Sequence, residues 1–192
     1  MQPAYYEDFS EIKKKIWLML EDAVSNRNSQ FRIPTFMCGY GSEINGRIVV
    51  LRKADKENNL VQFHSDIRSD KIDMLKKNSN AAMLFYDKEE KIQVRLKVEC
   101  IVNHENDITK KSWEKTQHIS RKCYLVDSGP GTESDLPTSG LKPELDTLAR
   151  KARCLSRLLL LSCGALPRPL GCCFQSCGMP KCALSPNPQS GR

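Results

Sequence analysis

The strongest constraint on the fold is a pair of strand-like segments that only five residues separate. Residues 81–86 and 92–102 are rich in apolar and β-branched side chains, and the charged segment 87–91 between them has the composition of a turn. Five residues cannot hold the crossover helix that parallel strands need, so these two strands must pair antiparallel. This connection excludes a Rossmann arrangement here and favours an antiparallel sheet.

Further segments with strand or helix patterns lie on both sides of this hairpin. Apolar side chains in residues 6–25 recur every three or four positions, which places them on one face of a helix. The other predicted helices are residues 69–78 and 107–122, and the other predicted strands are residues 33–40, 44–52 and 60–65. At least five strands, with helices before and among them, predict a small antiparallel β-barrel with helical additions.

The content of acidic residues and the content of cysteines both change near Asp146 of the 192-residue chain. No acidic residue follows Asp146, whereas seven of the 30 basic residues do, which leaves 23 basic and 23 acidic residues in the first 146 positions. Six of the nine cysteines also follow it. This change in composition predicts a domain over residues 6–146 and an atypical, disordered basic tail, rich in Cys and Pro, over residues 147–192.

The sequence disfavours nucleic-acid binding, a membrane span, export from the cell and a metal site. A formally neutral domain does not favour nucleic-acid binding, and no apolar run approaches the ~20 residues of a membrane span. Without a signal segment, we expect a cytoplasmic protein with free thiols. We expect no metal site, because the clustered tail cysteines lack paired C-x-x-C units and a nearby His; they are Cys172, Cys173, Cys177 and Cys182.

Basic and hydroxyl side chains gather where a predicted strand leads into the next predicted helix. Asp66 can cap that helix, and Arg68, Ser69 and Lys71 then lie around its first free N–H groups, which attract an anion. Arg47, on a neighbouring strand, can approach as a bidentate partner of a phosphate. A solvated helix start is the alternative for this stretch alone, and the addition of Arg47 favours a phosphate site.

A strand pattern at residues 93–97 offers a second ligand contact. Polar and apolar residues alternate there, so Gln93, Arg95 and Lys97 face one side of the strand. A glutamine amide can both donate to and accept from the edge of a heterocycle, which suits a flavin ring. The alternative is a half-buried strand with one face in water.

Three motifs, in this order, resemble those of the pyridoxamine 5′-phosphate oxidase-like family of FMN-binding split barrels. They are RIVVLR at 47–52, FHSDIRSDK at 63–71 and QVRL at 93–96, between helices that contain Trp17 and Trp113. The similarity extends over residues 10–140, and Asp-x-Arg-Ser-x-Lys at 66–71 resembles one branch of the family. The resemblance implies a mainly β fold with helices, an antiparallel split β-barrel, and a homodimer that holds FMN between its subunits. The family's C-terminal strands have no counterpart in the tail sequence, so we expect them to be missing or replaced.

The resemblance also implies which residues bind the cofactor. The residues implied at the phosphate are Arg47, Arg68, Ser69 and Lys71, with Ser65 at the phosphate or ribityl end. The residues implied at the ring are Val49, Leu51, Gln93 and, close to the substrate as well, Arg52. The side chains that hold the substrate phosphate in the vitamin B6 oxidases have no clear counterparts, so catalytic and substrate residues stay unassigned.

The function implied by the resemblance is FMN binding with flavin-dependent oxidoreduction of a small molecule. An oxidase of CH–NH2 or CH–OH donors is the reaction type closest to the family, and flavin itself supplies the hydride chemistry. Two alternatives stay open. One is a flavin-binding module without turnover, and the other is a form that its altered C-terminus inactivates.

Overall fold

Strands dominate the part of the chain that the computed structural model describes, which is residues 8–133, 135 and 157–165. The α-helices are α1 (Phe9–Ser25), α2 (Lys71–Lys77), α3 (Asp107–Lys115) and α4 (His118–Arg121), and 3-10 turns form at Gln30–Arg32 and Lys122–Tyr124. The strands are β1 (Thr35–Tyr40), β2 (Glu43–Ile48), β3 (Leu51–Asp55), β4 (Leu60–Asp66), β5 (Asn80–Asp87), β6 (Ile92–His104) and β7 (Leu158–Ala165). The predicted mainly β fold with helices is confirmed.

All seven described strands join one antiparallel sheet in the order β2-β1-β5-β6-β7-β4-β3. The two edge strands, β2 and β3, are consecutive in the chain and only Val49 and Val50 separate them. Three Cα–Cα steps span at most about 11 Å, whereas the edges of a flat sheet of this size lie about 29 Å apart. The sheet must therefore curl into a barrel whose edges meet at Val49 and Val50, which divide the predicted strand 44–52 in two.

The barrel interior is apolar and α1 covers it from one side. The rings of Phe36 on β1 and Phe63 on β4 pack with centroids 4.9 Å apart. Helix α1 packs against β3 and buries Ile16, Trp17 and Leu20 in the same core. The helix begins at Phe9 rather than at the predicted residue 6, because the carboxylate of Asp8 caps it by accepting from the backbone N–H of Ser10 at 2.7 Å.

The largest departure from prediction is β7, which lies in the middle of the sheet between β6 and β4. The prediction that the tail stands outside the domain is therefore wrong for residues 158–165. Leu159 and Leu161 are fully buried in the barrel core, while Leu158 is buried on the other face, beneath Trp113 and Tyr124. Because both faces are covered, this segment lacks the period-two pattern that marks a half-exposed strand. The remaining tail residues, 147–156 and 166–192, lie outside the described residues.

The predicted helix 107–122 is interrupted in the structure. Helix α3 ends when the backbone N–H of Thr116 donates to the carbonyl of Trp113 at 3.0 Å, and α4 begins two residues later. The interruption lets Tyr124 reach the indole of Trp113, with ring centroids 5.9 Å apart in an edge-on arrangement. These two rings form the lid over the outer face of β7.

The buried position of β7 predicts a large cost for shortening its side chains. We expect Leu161→Ala, at a fully buried site, to lower the free energy of unfolding by about 2–5 kcal/mol, because it removes apolar burial and leaves a cavity. Leu18→Ala is the matched control, since Leu18 is 56% exposed on α1, and we expect a change within about 0.5 kcal/mol. Urea unfolding followed by circular dichroism measures both. Equal small effects would show that β7 is not part of the folded barrel.

Candidate functional site

Two cationic side chains converge on one hydroxyl where β2 meets the start of α2. Arg47 Nη1 donates to Ser69 Oγ at 2.7 Å, and Lys71 Nζ donates to the same oxygen at 2.9 Å. We call Arg47, Ser69 and Lys71 the cradle. Ser69 and Lys71 are buried, and Arg47 is half-buried. The structure thus brings together three of the residues that the sequence predicted at a phosphate.

Each of the three cradle side chains keeps at least one N–H or O–H group that donates to no described residue. A serine hydroxyl has two acceptor lone pairs and one O–H, and the two cations occupy both lone pairs of Ser69. Within the part of the chain that the structure describes, neither Arg47 nor Lys71 forms an ion pair, and no acceptor faces the Ser69 O–H. The cradle therefore lacks an acceptor, and an anion supplies one.

The electrostatics of Lys71 show how much positive charge the cradle concentrates. Burial, and then the nearby guanidinium of Arg47, lower the pKa of Lys71 from 10.5 to about 8. Burial also raises the pKa of the Cys38 thiol beside these two cations. A negative charge between Arg47 and Lys71 would raise the pKa of Lys71 again, so an anion would bind more tightly to the protonated amine.

Asn45 orients Arg47, and the sequence-based prediction did not include it. Its amide oxygen accepts from Arg47 Nε at 3.0 Å and from Nη2 at 2.6 Å. The two residues are two positions apart on β2, so their side chains leave the same face of the strand. This two-residue spacing is the sequence signal by which Asn45 could have been found. Its two hydrogen bonds hold the guanidinium so that Nη1 points at Ser69.

Arg68 is not part of the cradle, although the sequence predicted it at the phosphate. Its guanidinium pairs with the buried carboxylate of Asp66 at 2.7 and 2.9 Å, and it donates to the carbonyls of Val126 and Asp127, each at 2.9 Å. The structure therefore assigns Arg68 to the packing of residues 126–127 against β4. Ser65 is buried nearby, and its hydroxyl donates to the carbonyl of Asp66 at 3.4 Å.

The turn before α2 sets the position of Ser69. The carboxylate of Asp66 accepts from the backbone N–H of Arg68 at 2.9 Å, and the Asp66 carbonyl accepts from the N–H of Ser69 at 3.1 Å. These bonds make a tight turn over residues 66–69, so the helix begins at Lys71 instead of at the predicted Ser69. Asp66 caps this turn and not the helix, which places the Ser69 and Lys71 side chains together.

The residues predicted along a flavin ring lie in different environments. Val49 is buried at the link between β2 and β3, where its N–H donates to the Pro34 carbonyl at 3.0 Å. The side chain of Leu51 is fully buried in the core, so only its backbone is available to a ligand. Arg52 is the extra residue of a β-bulge between β3 and β4, which re-aims its side chain.

Arg52 belongs to a second polar cluster, on the outer face of β4. Its Nε is buried and has no hydrogen-bond partner among the described residues. Burial and the charge of Arg32 lower the pKa of Arg52. Burial and Arg52 lower the pKa of His64 to about 4. His64 is hydrogen-bonded through Nε2 to Ser112 Oγ at 2.7 Å, and with this lowered pKa its ring adds no positive charge beside Arg52 at neutral pH.

Gln93 lies on the face of the sheet opposite to Arg47. The ladder pairs Arg47 with Phe36, Phe36 with Met83, and Met83 with Leu96, so these side chains share the inner face. Gln93 is three positions from Leu96 on the same strand and therefore points outward. Within one subunit, Gln93 and the cradle therefore lie on opposite faces of the sheet.

The described residues contain neither a helix that could span a membrane nor a cluster of metal ligands. No helix among them combines the length and the apolar character that a membrane crossing requires. No three side chains of the His, Cys, Asp or Glu type converge as metal ligands in these ranges. The clustered tail cysteines lie outside the described residues.

Comparisons with known proteins give the fold. Residues 14–104 match the family model described as pyridoxamine 5′-phosphate oxidase, FMN-binding domain. No curated protein sequence matches the chain. Among solved structures, PhzG from Burkholderia lata 383, in complex with tetrahydrophenazine-1-carboxylic acid, is 16% identical, with 84% of this chain and 80% of that chain covered and a TM-score of 0.60.

Two further solved structures show the same architecture. A pyridoxamine 5′-phosphate oxidase-related, FMN-binding protein from Nostoc punctiforme PCC 73102 is 16% identical, covering 79% of this chain and 78% of that chain, with a TM-score of 0.57. A protein described as a pyridoxamine 5′-phosphate oxidase from Listeria innocua is 14% identical, covering 80% and 93%, with a TM-score of 0.50. The predicted split-barrel fold is thereby confirmed.

The lowered pKa of Lys71 predicts a pH dependence of stability. Between about pH 8 and 10.5 the unfolded chain holds a proton that folded Lys71 has already released, so stability rises with pH in this window. Relative to Lys71→Met, we expect the wild type to gain up to about 3 kcal/mol of unfolding free energy from pH 7 to 10.5. Lys76→Met is the control on the exposed face of α2. Urea unfolding at a series of pH values measures the gain, and parallel curves for wild type and Lys71→Met would contradict it.

Proposed function

We propose that the chain binds FMN and that the cradle holds its phosphate. The observation that supports this most directly is the convergence of Arg47 and Lys71 on Ser69, which leaves donors and no acceptor. A phosphate monoester carries a charge of about −1.5 to −2 at neutral pH and three acceptor oxygens. It therefore supplies both the negative charge and the acceptors that the cradle lacks. The match of residues 14–104 to an FMN-binding domain favours FMN over other phosphates.

The proposed roles of the other predicted residues follow from where they lie. Ser65 is at the end of β4 close in sequence to the cradle, and the backbone of Val49 and Leu51 follows β2 directly. We assign these three to the ribityl chain and ring. Arg68 acts indirectly, by holding the turn that carries Ser69 through its pairing with Asp66.

Homodimer formation explains the position of Gln93. The outer face of the sheet has exposed apolar side chains, with Ile44 86% and Ile48 63% exposed. An open groove of about 440 Å³ on this side is lined by residues that include Met37, Ile44 and Ala82. We propose that a second copy covers this face. Gln93 is on the same outer face, so we propose that it meets the ring of a flavin that extends from the other subunit's cradle past that subunit's edge strand β2.

The reaction we propose is flavin-dependent oxidoreduction of a small molecule. Bound FMN supplies hydride transfer, whereas the chain anchors the phosphate and sets the polarity around the ring. Arg52 lies on a bulge two residues beyond the link at Val49 and Val50, and its buried Nε has no hydrogen-bond partner among the described residues; we assign this side chain to the ring and substrate end of the site. If pyridoxamine 5′-phosphate reduces the bound flavin in the absence of oxygen, so that the flavin absorbance is lost, the protein is an oxidase of amines. Flavin that stays bound and oxidised with all donors would identify the alternative, a binding module without turnover.

Removing one cation of the cradle should weaken the binding of FMN and leave the binding of riboflavin unchanged. We expect Arg47→Met to lower FMN affinity by about 10- to 100-fold, because charge-assisted hydrogen bonds contribute about 1.5–3 kcal/mol. Riboflavin lacks the phosphate, so its affinity should not change. Lys76→Met serves as the control for loss of one positive charge on α2. Quenching of flavin fluorescence measures all affinities, and equal losses for both flavins would place the phosphate elsewhere.

A charge on the outer sheet face should separate the dimer. We expect Ile44→Asp to convert a dimer into a monomer, because the carboxylate would be buried without a partner in the interface. Ile119→Asp, on α4 and 71% exposed, is the matched control and should leave the dimer intact. Light scattering after size-exclusion chromatography gives the mass. A wild-type monomer that still binds FMN would refute the dimer and leave the cradle in place.

A further inference from the structure

Two cysteines on neighbouring strands face each other inside the barrel. Cys100 lies on β6 and Cys163 on β7, 63 positions apart in sequence, and their Sγ atoms are 3.1 Å apart. Both side chains are buried in the apolar core. Neither residue belongs to the cradle or to the cluster around Arg52. The pair is thus a second reactive feature with no part in the proposed flavin site.

The register of the sheet makes this pair suitable for a covalent link. The N–H of Cys100 donates to the carbonyl of Ser79 at 2.9 Å, on the β5 side. In an antiparallel strand the N–H and C=O of one residue point the same way, so Cys100 offers no backbone hydrogen bond to Cys163 opposite it. Residues in such non-hydrogen-bonded pairs have Cα atoms about 4.5 Å apart, which lies within the range that a disulfide spans.

We propose that Cys100 and Cys163 form a disulfide under oxidising conditions and that this bond fastens β7 into the barrel. With hydrogen peroxide as the oxidant, one thiolate attacks the peroxide to give a sulfenic acid and hydroxide. The second thiol then attacks the sulfenic sulfur, an S–S bond forms and water leaves. The hydroxide takes up the proton that the first thiol released when it ionised. The two sulfurs together lose two electrons, the peroxide O–O bond is reduced, and two waters are the product in total.

The bond would act on the strand that supports the cradle. Strand β7 pairs with β4 from Leu60 to Asp66, and β4 leads directly into the turn that carries Ser69. The Cys100 thiol and burial both raise the pKa of Cys163. Little thiolate is therefore present while β7 is in place, and we expect oxidation to be slow and to follow local opening of the strand.

Peptide mapping of the oxidised full-length chain tests the proposal. The protein is incubated over a series of hydrogen peroxide concentrations and times, denatured, alkylated and digested. We expect a peptide pair linked through Cys100 and Cys163 to accumulate along the series, and dithiothreitol should restore both thiols. The oxidised protein should also unfold at a higher urea concentration than the reduced protein.

Two variants make the assignment specific. Cys163→Ala should abolish the linked pair and the shift in urea midpoint, whereas Cys123→Ser, which removes an exposed thiol, should leave both unchanged. The proposal is overturned if Cys100 and Cys163 are both recovered as free thiols throughout this series. It is equally overturned if either one is linked to a different cysteine. The wild-type map decides this even where a variant fails to fold.

Discussion

The meeting of Arg47 and Lys71 at the hydroxyl of Ser69 is the interaction on which the proposed site depends. It joins an edge strand, β2, to the segment that follows β4, although β3 and β4 lie between them in the chain and four strands separate β2 from β4 in the sheet. Only a sheet that curls back on itself can bring them together. The two-residue link at Val49 and Val50 forces that curl. The cradle therefore forms only when the barrel closes.

Strand β7 extends this dependence to the C-terminal part of the chain. It hydrogen-bonds to β6 on one side and to β4 on the other, and its leucines fill the core between them. Without β7, β4 would become a free edge and would lose the register that positions Ser65 and the turn after it. Residues 158–165 therefore support the site, although no hydrogen bond joins them to the cradle in the described part of the chain.

Much of the site could be predicted from local spacing, and the remainder depended on competition between partners. Ser69 and Lys71 lie two positions apart in one turn, so their grouping follows from spacing, whereas Arg47 reaches them only because the barrel closes. The partner of Arg68 was not predictable, because the carboxylate of Asp66, two residues earlier, pairs with its guanidinium. Strand β7 was missed because leucines buried on both faces show no alternation. The outward direction of Gln93 follows only from the register of four strands.

The central claim is that the cradle has an excess of buried positive charge which a phosphate neutralises. Calorimetric titration of the protein with FMN near pH 8, where Lys71 is half-protonated, in buffers of different ionisation enthalpy, measures the protons exchanged on binding. We predict uptake of a fraction of a proton with FMN, none with riboflavin, and none with FMN in Lys71→Met. Proton uptake that is absent with FMN, or equal for FMN and riboflavin, would contradict the account.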